Sequence, residues 1–233
     1  MGKSTAARPV PLALTALVAF FSALAALGVS GGTAMGHTGG HAMTMNATHS
    51  TELTAKSVAF HADMRKLWED HITWTRLAII SLEGNTPDTK ATVARLLRNQ
   101  ADLGNAVKPY YGATAGKALT KLLREHILIA ADLIAAAKAG DSAKVADAQE
   151  RWTANADQIS ALLHGANPHN WPLAALKAEM HMHLKLTGDE AVAHLQGKWA
   201  ADVAAYDKVH THILHMSDLL ADGIVAQFPN RFR

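Results

Sequence analysis

Leu67-Trp68-Glu69-Asp70-His71-Ile72-Thr73-Trp74 sets a histidine where a helix ordinarily keeps a hydrocarbon. At about 100° per residue, Phe60, Met64, Leu67, Trp74, Ala78 and Leu82 form one apolar stripe with His71 in its middle. Fifty-five residues on, Lys121-Leu122-Leu123-Arg124-Glu125-His126-Ile127-Leu128 repeats the arrangement. Leu119, Leu122, Leu123, Ile129, Ala130, Leu133 and Ala137 make its stripe, and His126 is central. Two amphipathic helices that each turn an imidazole toward the core predict a helical fold built around histidine.

The composition narrows what such histidines can do. With 233 residues and 49% hydrophobic content, the chain can bury one good core. Net charge is +2, with Lys and Arg scattered among Asp and Glu, so no strip for nucleic acid is expected. Cysteine is absent, which excludes thiolate zinc sites, iron-sulfur clusters, cysteine nucleophiles and disulfides. Fourteen histidines and 8 methionines instead point to a metal ion as the partner.

Residues 1–34 read as an export signal: Lys3 and Arg8, an apolar run from Val10 to Val29, then Ser30-Gly31-Gly32-Thr33-Ala34. Cleavage is the expectation, with an uncleaved membrane anchor as the alternative, and either places the protein outside the cytoplasm. Residues 35–50 then form a tether in which His37, His41, Met43 and Met45 mix imidazole with thioether, a donor set that suits copper and Cu(I) in particular.

From residue 51 to 233 the punctuation predicts a single helical domain. Gly84 with Thr86-Pro87, then Gly140-Asp141 and Gly188-Asp189, supply stops and N-caps. Six segments follow, at about 52–83, 87–108, 114–139, 142–164, 171–187 and 189–228, with Gly197 as a second break point in the last. The expected fold is an all-α antiparallel bundle with a four-helix-bundle-like core, ferritin- or hemerythrin-like in style, with extra helices. Asp70-His71-Ile72, Glu125-His126-Ile127, Asp157-Gln158-Ile159 and Thr211-His212-Ile213 echo one another. The third fails a helical-wheel test, because its stripe leaves Asp157 and Gln158 outside and only Asn155 at its edge.

In the fifth segment His183 lies beside the stripe of Leu173, Leu176, Met180 and Leu184, whereas His181 falls on the opposite flank. In the last, His210 and His212 flank Val209, Ile213, Met216, Leu220 and Ile224 from opposite sides, and either is a candidate. The predicted ligand set is therefore His71, His126 and His183 with His212 or His210, since bundles build metal sites from side chains on facing helices. Glu69, Asp70 and Glu125 are the expected acceptors for ring N–H groups. Nitrogen donors without thiolate favour copper over zinc or iron.

These residues also resemble a family of small bacterial helical proteins to which no activity is assigned. The resemblance runs from about Met64 to Phe228 through Arg65-Lys66-Leu67-Trp68-Glu69-Asp70-His71, Glu125-His126-Ile127-Leu128-Ile129-Ala130-Ala131-Asp132-Leu133, Ala154-Asn155-Ala156-Asp157, His183-Leu184-Lys185-Leu186-Thr187 and Tyr206-Asp207. It implies that His71, His126 and His183 matter, with Asn155, Asp157 and Asp207 behind them. The chain departs at Gln158 and His210, where relatives often carry acids. Some relatives bear transferase or kinase labels, yet no phosphate-cradling glycine loop occurs in this chain. The function expected is metal binding, storage or handling. A ferritin-like dinuclear oxidoreductase and a pH-sensing envelope adaptor are the alternatives.

Overall fold

The computed structural model describes residues 54–233. Those residues form α1 (Ala55–Gly84), α2 (Thr89–Ala139), α3 (Ser142–Ala166), α4 (Leu173–Leu195), α5 (Trp199–Gln227) and a closing 3-10 turn, Pro229–Arg231. No strand occurs among them, and no described helix is long and apolar enough to cross a membrane. The export signal and the His/Met tether lie outside the described residues.

Two expected boundaries are corrected. The second and third expected segments form one element, α2, but Gly112 breaks it at φ 84° and ψ 168°, a conformation glycine alone adopts without strain. Pro109 stands just before, where its ring removes a backbone donor. The two halves, α2N (89–111) and α2C (113–139), cross where Gly104 meets Gly116. A Cβ on Gly104 would fall 2.6 Å from the Gly116 carbonyl oxygen.

The other correction concerns Gly188-Asp189, which is no boundary. Helix α4 runs through both to Leu195, and Lys185 Nζ binds Asp189 Oδ2 at 2.6 Å, one turn on, so the aspartate serves the helix it was expected to start. The break comes at Gly197, with φ 67°. At Gly140-Asp141 the same dipeptide does end and start helices: Gly140 has φ 72°, and Asp141 Oδ1 accepts from the Lys144 amide at 3.1 Å.

Once the helices are placed, three hairpins share one plan: α1 with α2N, α2C with α3, and α4 with α5. In each, a polar side chain on the second helix reaches a backbone carbonyl of the first. Asn99 Nδ2 donates to Leu67 O at 3.0 Å, Asn155 Nδ2 to Leu122 O at 3.1 Å, and His212 Nε2 to Glu179 O at 3.1 Å. Donor and acceptor are 32, 33 and 33 residues apart. Each acceptor lies four residues before a buried histidine: His71, His126 and His183.

The correspondence extends along both helices. The residue after each histidine is buried (Ile72, Ile127, Leu184), as is the residue three before it (Trp68, Leu123, Met180). A positive-φ residue, Asn85, Gly140 or Gly197, follows the end of each first helix 14 residues past its histidine. On the second helices Leu103, Ile159 and Met216, four residues past Asn99, Asn155 and His212, are all buried. The echo in the sequence is thus a threefold hairpin repeat, and Asn155 rather than Gln158 corresponds to His212. Helix α3 packs on α4 and α5 on α1, while α2N and α2C are joined at Gly112, so the hairpins close on one another. The equivalent histidines face inward from all three.

Candidate metal centre

His71, His126 and His183 are 3%, 3% and 4% exposed. The ring centroids of His71 and His183 are 5.9 Å apart, those of His126 and His183 6.1 Å, and those of His183 and His212 6.3 Å. His183 is therefore the hub. An ion held ~2.0–2.1 Å from each ring nitrogen would bring ring centroids to about 5–5.5 Å. As the side chains stand, no group of three or more His, Asp or Glu among the described residues is arranged to hold a metal ion. Binding would require the rings to turn and draw together from these separations.

The hydrogen bonds of His126 define its tautomer. Asn155 Nδ2 is committed to the Leu122 carbonyl, so Asn155 Oδ1 is the acceptor that faces the ring. His126 Nδ1 donates to it at 2.8 Å. The lone pair of the neutral ring therefore sits on Nε2, which is buried with no partner. A second-helix side chain that fixes the ring through one nitrogen and frees the other is how metal-binding histidines are ordinarily presented.

His71 and His183 complete the layer differently. Gln100 Nε2 stands 3.2 Å from His71 Nδ1, 2.9 Å from Leu96 O and 3.1 Å from Asn99 Oδ1, three acceptors for two hydrogens. Gln100 Oε1 is left buried and unpaired. His183 Nδ1 has no partner either, because the third hairpin carries His212 where the other two carry asparagine. Trp68 and Trp152 pack against His71 and His126 at 5.7 and 5.2 Å, and their indole nitrogens are likewise unpaired. Each buried orphan costs about 1–3 kcal/mol, so a cluster of them around three imidazoles needs a compensating role.

Burial lowers the His71 pKa to about 3, with repulsion from His126 adding to it and the Asn99 side chain opposing. It lowers His126 to about 4 against the Asn155 hydrogen bond. His183 is held well below the usual histidine value by burial and then by His71, His126 and His212. All three are neutral at pH 7, the form that binds metals.

The carboxylates expected around this layer lie elsewhere, because their positions on the helices face outward. Glu69 Oε1 binds His210 Nε2 at 2.7 Å on the α1–α5 surface, which removes His210 from the centre. Glu125 pairs with Lys121 at 3.7 Å along the outside of α2C. Asp157 binds Lys177 and His181 at 2.8 and 2.9 Å between α3 and α4, and Asp207 is exposed. Asp70 faces Lys66 and Arg95 at 3.3 and 3.4 Å, and of the expected partners Asn155 alone touches one of the three central rings. Of the two candidates on α5, His212 faces His183.

Two apolar cavities flank the layer. One, about 40 Å³, has His71, His126 and His183 in its wall and is otherwise lined by residues such as Met64, Leu123, Ile159, Met180 and Met216. The other, about 50 Å³, is lined by residues beyond the histidines on the first helices, among them Ala78, Ile79, Leu133 and Thr187.

At the far side of that second cavity is a charged cluster that sequence reasoning missed. Arg76 binds Glu190 Oε1 at 2.9 Å and Asp202 through both carboxylate oxygens, one contact at 2.6 Å. His194 Nδ1 binds Glu83 Oε2 at 2.6 Å. Burial raises Glu83 to about 8, with Asp202 next in effect, and raises Glu190 to about 7 against the pull of Arg76. A signal existed: Glu83 follows Arg76, and Glu190 follows His183, by seven residues, two turns on one helix face. Taking Gly188 for a helix end hid the second pair.

No family model, curated protein or solved structure matches the chain.

Proposed function

We propose that this protein binds a transition-metal ion, with copper favoured over zinc or iron, at His71, His126 and His183. The observation that carries the reading is the convergence of equivalent neutral imidazoles from three hairpins, with His126 Nε2 and His183 Nδ1 buried and unpaired. His212, stacked on His183, is the reserve donor. Export through residues 1–34 and capture of ions by His37, His41, Met43 and Met45 fit the same role and rest on the sequence.

The alternatives are less well supported. A dinuclear oxidoreductase centre wants carboxylates beside its histidines, whereas Glu83, Glu190 and Asp202 are engaged with His194 and Arg76. A sensor of pH 5–8 wants histidines that titrate there, and His71 and His126 stay neutral to about 3 and 4.

Metal analysis of the untagged protein is the test. Near-stoichiometric copper, lost when His71 and His126 are both replaced by alanine, supports the reading. A metal-free protein whose stability is unchanged on adding copper overturns it.

A further inference from the structure

The second of the two cavities lies among equivalent positions of the three hairpins. Thr75, Ala130 and Thr187, four residues past His71, His126 and His183, all line it, and so do Ile79, Ile134 and Ala191, eight residues past. The cavity thus follows the middle of the bundle, walled by α1, α2C and α4. One position leaves room there. The third hairpin carries Ala191 where the other two carry isoleucine, and in an interior that otherwise packs tightly about 50 Å³ stays open. Ile134 and Leu195 in its wall are half-buried, so the wall reaches the surface at those residues.

The polar groups of the wall are mismatched. Thr75 donates to the His71 carbonyl at 2.8 Å, one turn back on its own helix. Thr187, at the equivalent position and 6% exposed, makes no such bond, and its Oγ1 is buried without a partner. Trp152, which packs on His126 and lines the same cavity, also keeps its Nε1 unpaired, and an indole N–H can only donate. Two stranded donors beside one apolar space call for an acceptor.

Size and charge limit what that acceptor belongs to. At roughly 10–15 Å³ per water-sized probe, the cavity takes about three to five heavy atoms. Glu83, the charged residue in the wall, is bound to His194 Nδ1 at 2.6 Å and pushed up to about 8 by burial, so it offers a cation no counter-charge at pH 7. Ions are therefore excluded, because the apolar wall leaves their charge uncompensated. An alcohol brings a donor of its own to be satisfied, whereas a carbonyl oxygen only accepts.

We infer that the cavity between α1, α2C and α4 binds a short, neutral aliphatic carbonyl compound whose oxygen accepts from Thr187 Oγ1. Acetone is the probe, and isobutene, which has CH2 in place of the oxygen, is its comparator. Each is titrated into the untagged full chain after treatment with a chelator, so the outcome is separate from that of the metal-binding reading. The methyl NMR signals of Ala130, Thr187 and Ala191 report binding. Acetone is expected to shift them saturably and to show nuclear Overhauser contacts to the two alanine methyls. Thr187→Val keeps the shape and removes the hydroxyl. It should weaken acetone binding about fivefold, the worth of one neutral hydrogen bond, and leave isobutene binding unchanged or tighter. Ala191→Ile, which supplies the residue of the other two hairpins, should abolish binding of both.

Shifts that do not saturate, or contacts confined to other residues, overturn the inference. So does a Thr187→Val variant that weakens both probes equally or neither, and so does acetone binding that persists in Ala191→Ile. Ala130→Val fills the same space from α2C and serves where an overpacked Ala191→Ile fails to fold. The contacts in the wild-type protein locate the probe whichever variant folds.

Discussion

Asn155 Oδ1 lies 2.8 Å from His126 Nδ1, while Nδ2 of the same amide holds the Leu122 carbonyl one turn earlier on α2C. One side chain thus clamps the helix and fixes the ring. Asn155→Leu strands the imidazole N–H in an apolar interior, and one such loss costs about 1–3 kcal/mol. Urea denaturation of metal-free protein should show a loss of at least that size. Copper affinity should fall about 10–100-fold. Unchanged affinity at full folding would mean that His126 is oriented by packing alone.

The pH dependence of stability follows from two opposed groups. His71 and His126 titrate at about 3 and about 4 when folded, against 6.5 when unfolded, so the unfolded chain binds more protons below 6.5. Their stabilisation is present above pH 6.5 and lost as pH falls toward 4 and then 3. Glu83 and Glu190 titrate at about 8 and about 7 when folded, against 4.5 when unfolded. Their contribution is present below pH 4.5 and lost as pH rises through 7 and 8. Stability of the metal-free protein should therefore be greatest between about pH 4.5 and 6.5, where the two trends oppose each other. Glu83→Gln should flatten the alkaline fall and leave the acid limb unchanged, as read by denaturant midpoints from pH 4 to 9.

How much of this was legible depended on what kind of pattern carried it. His71, His126 and His183 could be read because each interrupts or edges an apolar stripe, a violation that periodicity exposes. The repeat could not, because its shared feature is a hydrogen bond to a carbonyl, made by asparagine in two hairpins and histidine in the third. Matching Asp157-Gln158-Ile159 to Thr211-His212-Ile213 by letters put the register off by three positions. The Arg76–Glu190–Asp202 cluster was hidden for a different reason: charged residues near an apparent helix end look solvated until the helix proves continuous.

The close crossing of α2N and α2C gives a prediction for the frame. A methyl on Gly104 would lie 1.9 Å from Thr120 Oγ1 and 2.6 Å from Gly116 O. The threonine can rotate away, but the carbonyl is backbone and cannot. Gly104→Ala should destabilise by about 1–3 kcal/mol, the range for overpacking. Gly112→Ala meets no neighbour, yet it too should destabilise, by about 1–2 kcal/mol, from the positive φ alone. Thermal denaturation of both variants checks the pair, and a neutral Gly104→Ala would show that the two halves of α2 do not touch there.

Replacing His212 with asparagine tests whether the third hairpin is a true member of the set. Asparagine at that position can donate to Glu179 O as Asn99 and Asn155 do to their carbonyls. Its Oδ1 would then face His183 Nδ1, now buried without a partner. His212→Asn should fix His183 in the tautomer protonated on Nδ1, visible in the nitrogen chemical shifts of the ring, and gain up to about 1 kcal/mol from the added hydrogen bond. The same change removes a stacked imidazole from the layer. If His212 is a ligand rather than a clamp, the variant should lose copper affinity while gaining stability. If it is only a clamp, affinity should hold or rise, because His183 would then present Nε2 already oriented.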